Sequence, residues 1–311
     1  MSTRDQDLDA VERPVRNDGF ELTAAREASV GDLSVRRLLP LRTRRSVGAW
    51  CFIDHYGPAD VDGVTGMAVP PHPHIGLQTV TWLLAGNVLH RDSLGNEQLI
   101  RPGQLNLMTA GRGIAHAEES PAEHDPQLHG VQLWVALPDG SRFTEPSFEH
   151  HADLPAVQND GLTCTVFLGG RAGTMSPATT FSHLVGAQLT AERVVDARLE
   201  LAPDFEHVVF VVTGAATVAG TDLRPGQLLY LPAGHLDVPV AAPAGATLLL
   251  LGGVPLGEPL LMWWNFVARK PDEIEAAVTD WREGRLGPVG GYSGEPLPAP
   301  PLRPELLIAR D

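Results

Sequence analysis

The sequence predicts an all-β protein with two similar domains in tandem, and three observations carry that prediction. Short runs of β-branched or apolar residues lie at 79–84, 104–108, 131–137, 163–168, 208–212, 227–231 and 247–251, each bounded by Gly, Pro or Asp. Regularly spaced short strands of this kind build a sandwich or a barrel. Gly and Pro, 32 and 27 of the 311 residues, make up nearly a fifth of the chain, which favours many short elements joined by tight turns. Finally, Arg101-Pro102-Gly103-Gln104-Leu105, followed by Leu107 and Ala110-Gly111, recurs as Arg224-Pro225-Gly226-Gln227-Leu228, followed by Leu229-Tyr230-Leu231 and Ala233-Gly234. A strand ending in glycine precedes each copy, at Gly86 and at Gly214. A repeat at this separation marks two copies of one unit, in line with roughly 150 residues per domain.

In chain order, residues 1–30 read as an N-terminal segment mixing Arg, Asp and Glu, 31–143 as the first domain, 144–266 as the second, and 267–311 as a helix and tail. Residues 138–161, rich in Pro, Asp, Asn and Ser, read as a connector. The clearest helix covers 271–281: Pro271 opens it, Asp272 and Glu273 occupy the first turn, and Ile274, Val278 and Trp281 recur at helical spacing. Dense Pro and Gly over 287–311 predict a tail that lies extended on the surface or stays mobile.

Composition excludes several classes of function. With 23 basic against 38 acidic residues the net charge is −15, which repels a phosphate backbone and argues against direct nucleic-acid binding. The two cysteines, Cys51 and Cys164, form no CxxC pair, so neither a disulfide framework nor a thiolate zinc site is expected. Both lie in apolar strand-like runs and read as buried, inert thiols. No stretch reaches the about 18 apolar residues needed to span a bilayer, and no secretory h-region opens the chain. A cytoplasmic protein with no membrane partner is the expectation. GxSxG, Walker and HExxH motifs are all missing.

Four residues carry the chemistry: His72 and His74 in Pro71-His72-Pro73-His74, and His116 and Glu118 in His116-Ala117-Glu118. Residues i and i+2 of an extended chain share a face, so each pair is a two-pronged ligand set. If the two strands are neighbours in a barrel, three imidazoles and one carboxylate meet inside it. That donor set suits a divalent first-row metal and leaves coordination positions open, as in reactive sites. Elsewhere, Trp263-Trp264 reads as an interdomain packing anchor, and His207 and His235 as structural or surface histidines. His55 and Tyr56 read as local turn residues or as pocket lining.

The run from His72 to Trp82 resembles the first metal motif of the pirins, members of the cupin superfamily, and the run from Met108 to Glu118 resembles the second. Phe52-Ile53-Asp54-His55-Tyr56-Gly57-Pro58 and the stretch from Gly252 to Pro259 are similar to other pirin segments, and the likeness covers about 30–287. The resemblance implies a bicupin, two double-stranded β-helix (jelly-roll) barrels packed face to face, with one metal held by His72, His74, His116 and Glu118. Fe(II) is the implied metal, with Mn, Ni, Cu or Zn as alternatives. The implied activity is a quercetin 2,3-dioxygenase-type ring opening of a flavonoid-like substrate with O2, with Glu118 as general base and Ile75 in a water-excluding wall. The alternative is an iron-dependent redox-sensing regulator that docks on a protein partner without turnover. A monomer is expected, because the barrels cover each other.

Two departures qualify the likeness. Many pirins have Arg and Glu where this chain has Ile75 and Gln78, and Gln78 is expected to be a hydrogen-bond partner near the site or a core-facing polar residue. In the second domain, alignment on the glycines sets Glu200 and Ala202 opposite His72 and His74, and Pro239 and Ala241 opposite His116 and Glu118. No ligand set survives there, and the second barrel reads as a scaffold.

Overall fold

Apolar residues recur at every second position along Asp237–Ala242, where Val238, Val240 and Ala242 are buried while Pro239 and Ala241 face out. Along Glu206–Thr213 the apolar run is unbroken and almost every residue is buried. The first pattern belongs to a strand with one face on a core, the second to a strand covered on both faces. Both recur through the computed structural model, which describes residues 15–17, 19–30, 33–61, 66–303, 305 and 307–310.

Among the described residues all the strand ladders are antiparallel. The first barrel has a large sheet in the order Ser147–His151, Leu105–Thr109, Leu77–Ala85, Gln127–Ala136, Trp50–Asp60, Leu33–Leu39, Arg26–Val30. A smaller sheet faces it, in the order Ala68–His74, Ile114–Glu119, Val88–Asp92, Glu97–Ile100. The second barrel repeats this plan: Val195–Glu200, Asp237–Ala242, Ala216–Val218 and Thr221–Leu223 form its small sheet. Its large sheet is centred on Gln227–Leu231, Glu206–Thr213, Thr247–Gly253, Leu184–Ala191 and Leu162–Arg171. This is the bicupin architecture. The two large sheets pack face to face, which explains why their strands read as continuous apolar runs.

The contact between the barrels is a core in its own right. Trp50, Trp82, Val80 and Leu133 from the first barrel pack with Phe167, Val208, Phe210 and Leu249 from the second. Trp82 stacks on Phe167 with ring centroids 4.8 Å apart. The Trp50 indole N–H donates to the carbonyls of Val185 at 3.1 Å and Gly252 at 3.2 Å, so its one polar atom is satisfied within the second barrel. Gly186 makes room for this: a Cβ there would lie 2.5 Å from the Phe167 ring.

Three segments differ from the sequence expectation or sharpen it. The connector at 138–161 carries two strands, Ser147–His151 on the edge of the first barrel and Ala156–Asn159 on the edge of the second. Edge strands that face water on one side need few apolar residues, so their sequence reads as loop. Near the N-terminus, Phe20–Ala24 pairs with Gln227–Leu231 of the second barrel, whereas Arg26–Val30 pairs with Leu33–Leu39 of the first. Of the two readings of the tail, extension is what the described residues show: the Leu297 N–H donates to the Pro71 carbonyl at 2.8 Å, Leu307 is buried, and Arg310 bridges to Leu260.

The helix spans Pro271–Arg282, one residue beyond the expectation, and buries Ile274, Ala277 and Val278. These pack on Leu261, Phe266 and Ile75. Trp263 and Trp264 belong to this same cluster, so they fasten the helix and are not the anchor between barrels, a role that falls to Trp50 and Trp82. No helix of the described residues is long and apolar enough to cross a membrane.

Candidate metal centre

The inner face of the first barrel's small sheet builds the site. His72 lies directly opposite His116 in the ladder between Ala68–His74 and Ile114–Glu119, and Glu118 lies opposite His90 on Val88–Asp92. Directly paired residues of antiparallel strands share a face, so His72, His74, His90, His116 and Glu118 all point inward. A register shift between His116 and Glu118 marks a bulge, a common device for re-aiming side chains beside a site.

Ligand atoms of His72, His74 and His116 all lie within 4.8 Å of one another. A second group within the same limit consists of His90, His116 and Glu118. His116 is shared: its Nε2 is 3.1 Å from His74 Nε2, and its Nδ1 is 3.4 Å from His90 Nδ1. Glu118 therefore sits on the His90 side of His116, where its Oε1 accepts a 2.7 Å hydrogen bond from the Thr81 hydroxyl.

All five groups are buried, with exposures of 7% for His72, 5% for Glu118 and 2% or less for the rest. Burial pushes the His72 imidazole down to about 4. Burial and the neighbouring imidazoles hold His74 and His116 well below the ordinary histidine range. Burial raises the Glu118 carboxyl above the usual carboxylate range, against the opposing pull of Thr81 and His90. Near neutral pH the three imidazoles are neutral, the state in which nitrogen binds metal. The Nδ1 atoms of His72 and His74 are tied to the Pro70 carbonyl at 2.8 Å and the Asn265 carbonyl at 2.9 Å, which makes Nδ1 the N–H and Nε2 the nitrogen able to bind metal. Three such nitrogens with a carboxylate at hand fit a divalent first-row cation.

Aromatic rings wall the cluster. Trp134 meets His74 edge-on at 5.2 Å and is itself stacked on Phe52 at 4.0 Å, while Phe148 stacks on His90 at 4.5 Å. Ile75 is not part of that wall: just past the strand end at His74 it bridges to Phe266 and packs against the helix cluster. Gln78 is also committed elsewhere, its amide donating to Thr109 Oγ1 at 2.9 Å and to the Thr179 carbonyl at 3.1 Å.

His55 and Tyr56 are mid-strand residues of Trp50–Asp60, not turn residues. His55 Nε2 lies 2.9 Å from His129 Nε2, beside Arg36. Tyr56 takes the other face, among Val61, Met67 and Leu83. Cys51 and Cys164 are buried free thiols, and burial pushes Cys51 up to about 12 and raises Cys164 too.

Sequence reasoning missed His90 and its partner Asp92. His90 Nε2 is 3.2 Å from Asp92 Oδ2, and the other Asp92 oxygen accepts the backbone N–H groups of Leu94 and Asn96. Burial opposes ionisation of Asp92, but the hydrogen bonds from His90 and Asn96 outweigh it and hold the carboxyl below its usual range. The signal was present: His90-Arg91-Asp92 has the same two-residue spacing that selected the other pairs.

The second barrel keeps the ladder and loses the ligands. There Pro239 pairs with Arg198, and Asp237 with Glu200. The residues that the glycine alignments set opposite the ligands are not on the inner face of this ladder. Arg198, Glu200, Pro239 and Ala241 all face outward. Inward positions are filled by Leu199, Val238 and Val240, and both groups of metal-capable side chains found among the described residues lie in the first barrel. His207 is buried, and half-buried His235 packs on Phe20 at 4.9 Å.

Two antiparallel barrels in tandem, one with four histidines and a carboxylate clustered on its inner face and the other without such a cluster, define a cupin of the two-barrel class with a candidate metal site. The chain belongs to the pirin family: the pirin family model matches 32–135 and the pirin C-terminal cupin domain matches 186–287. Among curated relatives, a Pseudomonas aeruginosa protein carrying the provisional name quercetin 2,3-dioxygenase is 47% identical over 286 residues, covering 91% of this chain and 90% of its own. Human pirin is 30% identical over 226 residues, 70% of this chain and 77% of its own. The crystal structure of quercetin 2,3-dioxygenase from Acinetobacter baumannii superimposes with a TM-score of 0.89 at 43% identity, covering 91% of this chain and 96% of that one.

Proposed function

We propose that the protein is a mononuclear metal dioxygenase that opens the ring of flavonols such as quercetin, with His72, His74 and His116 holding Fe(II) or another divalent first-row metal and Glu118 completing the set. The observation that carries this reading is the buried group of three neutral imidazoles, each within 4.8 Å of the others, with a carboxylate adjoining it. The names of the Pseudomonas and Acinetobacter relatives support the substrate class. A metal bound there supplies Lewis-acid activation of the substrate's enolic oxygen and an electronic path to O2.

The chain's own residues do the rest. His72 and His74 are oriented by backbone carbonyls, so their Nε2 atoms are preset for binding. Glu118 accepts the proton of the flavonol hydroxyl: its raised pKa makes the carboxylate a stronger base, and releasing the Thr81 hydrogen bond lets it turn toward the trio. Trp134, Phe52 and Phe148 exclude water around the reacting atoms.

Anaerobic loading with Fe(II), followed by exposure to oxygen and quercetin, tests this. Loss of flavonol absorbance with release of carbon monoxide is expected. Stoichiometric metal without turnover on any flavonol would overturn it and leave the second reading, a redox-sensing regulator that binds a protein partner. One observation favours that reading, the burial of all five site residues, which leaves little surface for a substrate without side-chain movement.

A further inference from the structure

The second barrel lacks metal ligands, yet its mouth is not sealed. A cavity of about 430 Å³, within the range of small-molecule sites, lies among the ends of Leu162–Arg171, Leu184–Ala191, Val195–Glu200 and Glu206–Thr213. Much of its wall is apolar, with Leu201, Phe205 and Leu250 on it. Three lining residues carry buried polar atoms that have no hydrogen-bond partner: Arg171 Nε, Ser182 Oγ and His207 Nδ1. Buried polar atoms are nearly always paired, and three orphans just behind one cavity wall can be satisfied together by a ligand once their side chains turn into it.

The groups are also held in place. Arg171 is held by a 3.2 Å bond from Nη2 to the Glu200 carbonyl and by Nη1 3.7 Å from Cys164 Sγ, while its Nε–H has no partner. His207 belongs to the face of Glu206–Thr213 that carries Val209 and Val211 into the barrel. Its ring is only 2% exposed and lies against Gly252, where a Cβ would come within 2.5 Å of it. The arrangement offers a guanidinium N–H and a hydroxyl as donors next to an imidazole, in a chain whose net charge is −15. Glu200 lines the same cavity and Asp204 stands near His207, so the preference for an anion rests on the Arg171 guanidinium, the one Arg or Lys side chain among the lining residues.

We propose that the mouth of the second barrel binds a small aromatic carboxylic acid. Its carboxylate accepts from Arg171 Nε–H and Ser182 Oγ–H, its ring packs on Leu201, Phe205 and Leu250, and a ring hydroxyl or the second carboxylate oxygen meets His207 Nδ1. Fork-like N–H donors and hydroxyls are the usual partners of such anions.

Benzoate is the probe, titrated calorimetrically into metal-free full-length protein so that the carboxylate has no metal to bind. One benzoate per chain is expected, with benzyl alcohol about ten-fold weaker because it lacks the charge-assisted bonds. Arg171→Gln and Ser182→Ala are each expected to weaken benzoate by about five-fold or more, whereas His116→Ala leaves it unchanged. Ser182→Ala lies on a surface bend and keeps the test available if Arg171→Gln fails to fold. Benzoate-induced shifts of the His207 ring nitrogens in labelled wild-type protein provide a readout free of mutation. Absence of saturable benzoate binding, equal affinity for benzyl alcohol, or affinity unmoved by Ser182→Ala would each overturn the proposal.

Discussion

The two barrels share a strand order and differ in what their inner faces hold. In the second, Leu199, Val209, Val238, Val240 and Leu250 belong to one continuous apolar cluster. In the first, the interior divides into two smaller clusters, one around Trp134 and Met108 and the other around Tyr56 and Leu83. The site touches both, through His74 on Trp134 and through Glu118, whose charge acts on Tyr56. The scaffold does not need polar residues inside. Burying them costs free energy, so a cluster of four histidines and a carboxylate inside one barrel marks function, and the other barrel, with His207 as its buried histidine, shows what the fold does without that demand.

The largest expected effect breaks this asymmetry directly. His116→Ala removes the residue common to both clusters and is expected to reduce bound metal from one equivalent per chain to almost none, measured by elemental analysis after Fe(II) loading. Two equivalents on the wild type would contradict the account of the second barrel. Next, Trp50→Ala removes the indole that joins the barrels and is expected to cost about 3–5 kcal/mol in chemical denaturation, with metal content retained in the folded fraction.

Acid sharpens the comparison in a third way. Burial lowers His55 to about 3, and His129 and His207 to about 4. The unfolded chain takes up these protons near pH 6.5 while the folded chain resists, so the stability present above pH 6.5 drains as pH falls toward 4. For metal-free protein a loss on the order of 3 kcal/mol by pH 4 is expected from His207, with a further loss from the coupled His55–His129 pair, read from denaturant midpoints at neutral and acid pH. The smallest effect concerns His90: replacement by Gln is expected to weaken metal binding by about ten-fold, in contrast to the near-total loss in His116→Ala. Equal losses in both variants would move His90 into the set of direct ligands.

Much of this was legible in the sequence because its causes are local. Alternation and turn residues located the strands, the Arg-Pro-Gly-Gln-Leu repeat exposed the duplication, and the two-residue spacing of His72 with His74 and of His116 with Glu118 put each pair on one face. What failed to show depends on distant neighbours. Alignment on Gly214 and Gly226 set Glu200, Pro239 and Ala241 opposite the ligands, yet these three face outward, because which face a residue takes depends on the ladder it joins and not on its distance from a glycine. Ser147–His151 read as loop because an edge strand lacks an apolar signature. His90 passed unnoticed as one of 12 histidines, its role visible only once Val88–Asp92 lies beside Ile114–Glu119.

Phe20–Ala24 crosses to the far barrel to cover Gln227–Leu231, and this has a bearing on how the molecule can be taken apart. A fragment beginning after residue 143 would bare a flank containing Leu228, Leu229, Tyr230 and Leu231, an open invitation to aggregation. The halves share one repeated plan but are laced together by the amino-terminal ribbon, so exchanging either for a homologue means carrying that ribbon along with it.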